Sequence, residues 1–196
     1  KYSYDTMETI KIAKKIIDLY QKNNISKERI LIKIAATWEG IQAAKILEKE
    51  GIKCNMTLIF SLTQAIACAQ SNVTLISPFV GRITDWYKSK GHIINNIEDD
   101  YGIKSVKEIY NYYKCKNYNT IIMGASFRNI QQIKALAGLD KLTISPKLIE
   151  ELTNDKEINF QKINLTECQS EVKEITADIF KQDMQDNEMA NFKLKE

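Results

Sequence analysis

Ile30-Leu-Ile-Lys-Ile-Ala-Ala36 is an apolar, β-branched run interrupted only at Lys33. A run without polar alternation reads as a strand covered on both faces, as in parallel sheets. Before it, Ile10, Ile12, Ala13, Ile16, Ile17 and Tyr20 recur near a 3.6-residue period, so residues 5 to 24 read as a helix capped by Asp5 or Thr6. After it, Thr37-Trp-Glu-Gly40 reads as a loop, residues 40 to 50 as a helix, and Gly51 as its stop. The unit then repeats. Strands are expected over residues 54–60, 73–80, 120–127 and 142–145. Helices are expected over residues 62–70, from 81 through 87, and over 106–114, 130–137 and 146–152. Residues 88–103 read as a polar insertion loop. Residues 154–196 read as a polar extension of the same domain, with one helix near residues 176–182 and a frayed Lys-rich end. Five strands, each followed by a helix, argue for βαβ units and a parallel sheet. By count they suit a doubly wound sheet, since a (β/α)8 barrel needs eight, but periodicity leaves both open. No GxGxxG or GxxxxGK(S/T) follows any strand, so nucleotide binding is not signalled.

Composition narrows the function classes. The chain has 196 residues, 44% hydrophobic and 27% charged, which is ordinary for a globular protein. A net charge of +3 does not argue for a nucleic-acid partner. No apolar stretch has the length of a membrane span, and the start, Lys1-Tyr-Ser-Tyr-Asp5, lacks a signal-peptide core. Cys54, Cys68, Cys115 and Cys168 are far apart and read as reduced thiols of a cytoplasmic protein. The one histidine, His92, falls in the polar insert, so neither a zinc site nor a His-based triad is expected. Trp38, Trp86 and Tyr87 read as packing anchors. Chemistry is left to Lys, Asp, Glu, Ser, Thr or Arg.

Lys33 is the residue that needs explaining. Lysine is seldom fully buried unless paired or functional. A neutral amine in a dry pocket suits Schiff-base chemistry, whereas a lysine on an edge strand pointing to water needs no function. Other polar residues recur near the C-terminal ends of the strands. Asn55 and Thr57 share a face, as do Ser77 and Phe79 with Arg82 following, and so do Gly124, Ser126 and Arg128. Sites in parallel α/β folds lie at that end, and two arginines beside serines suit a phosphate.

Taken in order, these strings resemble the transaldolases, lysine-dependent enzymes of the pentose phosphate pathway. The resemblance is carried by Ile30-Leu-Ile-Lys-Ile-Ala-Ala-Thr-Trp-Glu-Gly40, Cys54-Asn-Met-Thr-Leu58, Leu75-Ile-Ser-Pro-Phe-Val-Gly-Arg82 with Asp85-Trp-Tyr-Lys88, and Met123-Gly-Ala-Ser-Phe-Arg-Asn129. Leu47-Glu-Lys-Glu-Gly-Ile52, Tyr2-Ser-Tyr-Asp-Thr6 and Asp186-Asn-Glu-Met-Ala190 extend it over nearly the whole chain. The resemblance implies a TIM (β/α)8 barrel of which only strands four to eight are present, in one partial barrel domain over residues 1–196. It implies Lys33 as the Schiff-base lysine, Thr57 as a residue that helps place a catalytic water, and Asn55 near the imine. Ser77 and Phe79 would line the substrate, and Arg82, Ser126 and Arg128 would hold the sugar phosphate. The implied reaction moves a dihydroxyacetone unit from sedoheptulose 7-phosphate or fructose 6-phosphate to glyceraldehyde 3-phosphate or erythrose 4-phosphate. It requires no cofactor or metal.

The first three barrel strands of the family, with their Asp, Asn and Glu, have no counterpart here, nor does the final helix. The expectation is a fragment of a longer enzyme, weakly active or inactive alone. A sugar-phosphate-binding remnant and a lysine aldolase that releases its three-carbon unit are the alternatives. Sugar phosphates are the expected partners, with a homodimer left open and no nucleic-acid or membrane partner.

Overall fold

The computed structural model describes residues 2–157, 162–166, 171 and 173–196. Lys1 and Cys168 lie outside these residues. Helix α1 (Thr6–Lys22) opens the chain, with the Asp5 carboxylate accepting from the Glu8 N–H. Strands β1 (Ile32–Ala35), β2 (Cys54–Ile59), β3 (Leu75–Pro78), β4 (Ile121–Gly124) and β5 (Lys141–Leu142) follow. Between and after them come helices α2 (Trp38–Lys49), α3 (Leu62–Gln70), α4 (Val80–Ser89), α5 (Tyr101–Cys115), α6 (Ile130–Ala135), α7 (Pro146–Asn154), α8 (Ala177–Asp186) and α9 (Glu188–Lys195).

The strands are parallel and lie in chain order, β1-β2-β3-β4-β5. A doubly wound sheet reverses its winding at a switch point. No reversal occurs among the described strands, so the sheet winds one way throughout. That is the arrangement of an arc of a (β/α) barrel.

The two faces of the sheet differ. Ile32, Ile34, Cys54, Met56, Ile76 and Ile122 alternate onto the outer face and are buried. Helix α2 packs on β1 and β2, and α3 on β2. The inner face carries Lys33, Asn55, Thr57, Leu75 and Ser77. Its β1 edge is uncovered, with Lys33 exposed and Asn55 half-buried. The reading of β1 as a strand covered on both faces is therefore corrected. Its apolar residues satisfy one face, and Lys33 stands on the other.

Several boundaries also move. Thr37 does not sit in an extended loop but caps α2, accepting from the Gly40 N–H, so the helix begins at Trp38. Helix α5 begins at Tyr101, inside the expected insert, because the Asp100 carboxylate caps Gly102 and Ile103. The Lys-rich end is not frayed: α9 forms and buries Met189 and Ala190. Trp38 packs on Phe180 and Tyr87 stacks on Tyr101, as anchors do. Cys54 and Cys68 are free thiols, while Cys115, expected reduced, is disulfide-bonded.

Candidate active site

Lys33 on β1 is the direct register partner of Asn55 on β2. Two residues on, Thr57 pairs with Ala35 on one side and with Ser77 of β3 on the other. Directly paired residues of parallel strands point to the same face, so Lys33, Asn55, Thr57 and Ser77 converge on the inner face. The Ser77 hydroxyl donates to Asn55 Oδ1 at 2.7 Å, which orients the carboxamide and leaves its NH2 group for a ligand. Thr57 Oγ1 is buried and has no hydrogen-bond partner among the described residues. A buried hydroxyl left unpaired costs about 1–3 kcal/mol, so its place beside this group marks a position for a polar ligand. Lys33 itself has no hydrogen-bond or ion-pair partner among the described residues.

A β-bulge aims Thr57. Register passes from Thr57–Ser77 to Ile59–Pro78, so β2 spends an extra residue there. That residue, Leu58, takes a left-handed backbone with φ +60. Ile59, which strict alternation would put on Thr57's face, is turned outward and fully buried. The buried carboxamide of Gln64 holds this irregular corner. Its Nε2 donates to Ala36 O at 2.9 Å and to Leu58 O at 3.0 Å. Its Oε1 accepts from Phe60 N–H at 2.9 Å and Ser61 N–H at 3.1 Å.

A second cluster forms beyond β3 and β4. Phe79 bridges to Ala125, and the Arg82 guanidinium lies 5.1 Å from its ring centroid. Ser126 follows in a left-handed conformation, φ +63, which turns the chain sharply after β4. Arg128 donates through Nη1 to Ser126 Oγ at 3.1 Å and through Nε and Nη2 to Asp85 Oδ2 at 2.9 and 2.7 Å. Gly81 fits against this turn because it lacks a side chain: a Cβ there would stand 2.2 Å from Ser126 O.

The eight expected site residues lie within adjacent strands or just past them: Lys33 and Asn55 early in β1 and β2, Thr57 and Ser77 further along β2 and β3, and Phe79, Arg82, Ser126 and Arg128 beyond the ends of β3 and β4. Lys33, Asn55, Thr57 and Ser77 form one group, Arg82, Ser126 and Arg128 a second, and Phe79 links them through β3. Gly124 belongs to neither. It alternates with Ile122 onto the outer face, where Leu139, Phe127 and Leu142 surround it. Asp85, Gln64 and Gln132 carried no expected role. The two glutamines were visible as the third residue after a capping Ser61 or Asn129, a capping-box spacing.

The buried cysteines are unsuited to nucleophilic work. Burial pushes the Cys54 thiol up to about 12 and raises Cys68 further, so both stay protonated at neutral pH. Among the described residues no cluster of three or more His, Cys, Asp and Glu could hold a metal ion. None of the described helices is long and apolar enough to cross a membrane.

The model of the transaldolase/fructose-6-phosphate aldolase family matches residues 1–196. The chain belongs to that family. It is 52% identical to the transaldolase of Schizosaccharomyces pombe over 99% of its own length and 62% of that protein's. It is 52% identical to a probable transaldolase of Dictyostelium discoideum over 100% of the chain and 63% of the relative. A transaldolase of Cellvibrio japonicus is 58% identical over 80% of the chain and 49% of the relative. The chain therefore spans less than two thirds of the length of these curated relatives. For a member of this family, the one-way sheet is a partial TIM barrel.

Proposed function

We propose that this chain carries the imine-forming and phosphate-binding part of a transaldolase. The observation that supports it most is the convergence of Lys33, Asn55, Thr57 and Ser77 on one face of parallel strands, with Arg82 past the end of β3 and Ser126 and Arg128 past the end of β4. In this reading the Lys33 amine attacks the carbonyl carbon of a ketose phosphate. Loss of water gives a protonated imine. The imine draws in the electron pair of the adjacent C–C bond as it breaks. The sugar hydroxyl that becomes the aldehyde gives up its proton, and the aldose phosphate leaves. The three-carbon enamine stays on Lys33, adds to the carbonyl carbon of the acceptor aldose phosphate, and water then releases the product. Thr57 Oγ1 holds the water that moves protons at the imine, and Asn55 binds a substrate hydroxyl. Ser77 and Phe79 line the three-carbon unit. The arginines and Ser126 hold the phosphate and orient the reacting end with remote binding energy.

Sedoheptulose 7-phosphate and fructose 6-phosphate are the proposed donors, and glyceraldehyde 3-phosphate and erythrose 4-phosphate the acceptors. That is the non-oxidative pentose phosphate pathway, in the cytoplasm. The test is borohydride trapping with fructose 6-phosphate followed by peptide mapping, with a full-length relative as positive control. The expected outcome is an adduct on Lys33 that is lost in Lys33→Met. An adduct elsewhere, or none while the control labels, overturns the assignment. Product analysis with and without an acceptor aldose separates transfer from release of the three-carbon unit.

A further inference from the structure

Arg128 is held from behind as well as from the front. Its side chain meets Asp85 and Ser126, but its backbone N–H donates to Gln132 Oε1 at 2.8 Å. Gln132 is fully buried. Its Nε2 donates to Thr84 Oγ1 at 3.0 Å and to Asp100 Oδ2 at 2.8 Å. The Thr84 hydroxyl donates to Asp100 Oδ1 at 2.7 Å, and the same oxygen accepts from the Gly102 N–H at 2.8 Å. Thr84 and Asp100 are buried as well. One carboxamide, one hydroxyl and one carboxylate thus tie together α4, the entry to α5, α6 and the turn that carries Arg128.

Packing alone does not need these groups. A buried polar network is often replaceable by apolar residues without loss of stability, and its attested use is to fix one geometry. Among the described residues this network meets the candidate site at the Arg128 N–H. The turn at residues 125–128 needs such support. It leaves β4 through a left-handed Ser126, and Arg128 lies outside the β-ladder. Asn129 caps α6 by accepting from the Gln132 N–H at 2.9 Å, so side chain and backbone of Gln132 grip the turn at adjacent points.

We propose that Gln132, anchored by Thr84 and Asp100, is the positioning residue that sets the aim of the Arg128 guanidinium at a substrate phosphate. The inference rests on the reading of Arg128 as a phosphate ligand. The test is titration of the full chain with inorganic phosphate by calorimetry or NMR, for wild type, Gln132→Leu, Arg128→Lys and the double variant. Gln132→Leu is expected to weaken phosphate binding about tenfold, the size of one lost hydrogen bond to a charged group. In the Arg128→Lys background, where no planar fork remains to be aimed, it is expected to add less than about twofold. Thr84→Val, which keeps the Gln132–Arg128 bond and removes one anchor, is expected to weaken binding in the same direction by less; it decides the matter if Gln132→Leu fails to fold. Equal losses in both backgrounds, or a lowered unfolding midpoint with phosphate affinity unchanged, overturn the positioning role. If wild type binds no phosphate, the reading of Arg128 falls, and this inference with it.

Discussion

Thr57 separates stability from chemistry at a single residue. Its Oγ1 is buried without a partner among the described residues, so the hydroxyl is a cost there. Thr57→Val keeps the shape and removes that cost. Urea unfolding is expected to show stability unchanged or raised by up to about 1 kcal/mol. The same substitution is expected to slow borohydride-trapped adduct formation at Lys33 about a hundredfold, the lower range for lost acid–base assistance. A clear loss of stability with trapping at the wild-type rate would assign Thr57 to packing instead. Lys33 itself shows what a sequence can and cannot reveal. Its place in an apolar strand singled it out, but one strand does not say whether the opposite face is covered. The register with Asn55, not burial, ties it to the other site residues.

At the scale of elements, hydrophobic period and turn residues reveal α1 and α3 well, because each rests on local chemistry, whereas the strand order does not follow from periodicity. The bulge in β2 was not legible. Leucine is a poor predictor of a left-handed backbone, and the Gln64 carboxamide that bonds the carbonyl of Leu58, at φ +60, comes six residues later. Helix α9 was missed because the last stretch is polar overall; its burial of Met189 and Ala190 depends on tertiary packing. Gln64→Leu would strand three buried backbone groups and a half-buried one near the strand ends, and is expected to lower unfolding stability by about 3 kcal/mol or more. Gln70, on the same helix, bonds Lys173 and Ile175 of the segment before α8. Gln70→Leu is expected to cost less than about 1 kcal/mol, since its partners can turn to water. Equal costs in chemical denaturation would show that Gln64 supports helix α3 generally and not the strand corner.

At the scale of the molecule, surface area exceeds that of a compact chain. The chain exposes 11421 Å², against about 9,500 Å² for a compact monomer of its mass. The inner face contributes, for it leaves Lys33 exposed, and β1 is paired on one side only among the described strands. A parallel edge with free N–H and C=O groups is a template for another strand. Two expectations follow from the same geometry. In sedimentation velocity, the average mass of the 196-residue chain should rise with concentration over the micromolar range, as exposed edges find one another. Dihydroxyacetone transfer by that chain should be weak even where Lys33 can be trapped, because an exposed amine keeps its water and forgoes the dry, preorganised surroundings that accelerate imine chemistry. Lys33 trapping with little transfer fits a sheet whose β1 edge leaves Lys33 in water while Thr57 and Ser77 beside it are buried. Robust turnover by a chain that sediments as a monomer at every concentration would mean that five strands suffice to enclose the reaction, and the exposed β1 edge would lose its significance.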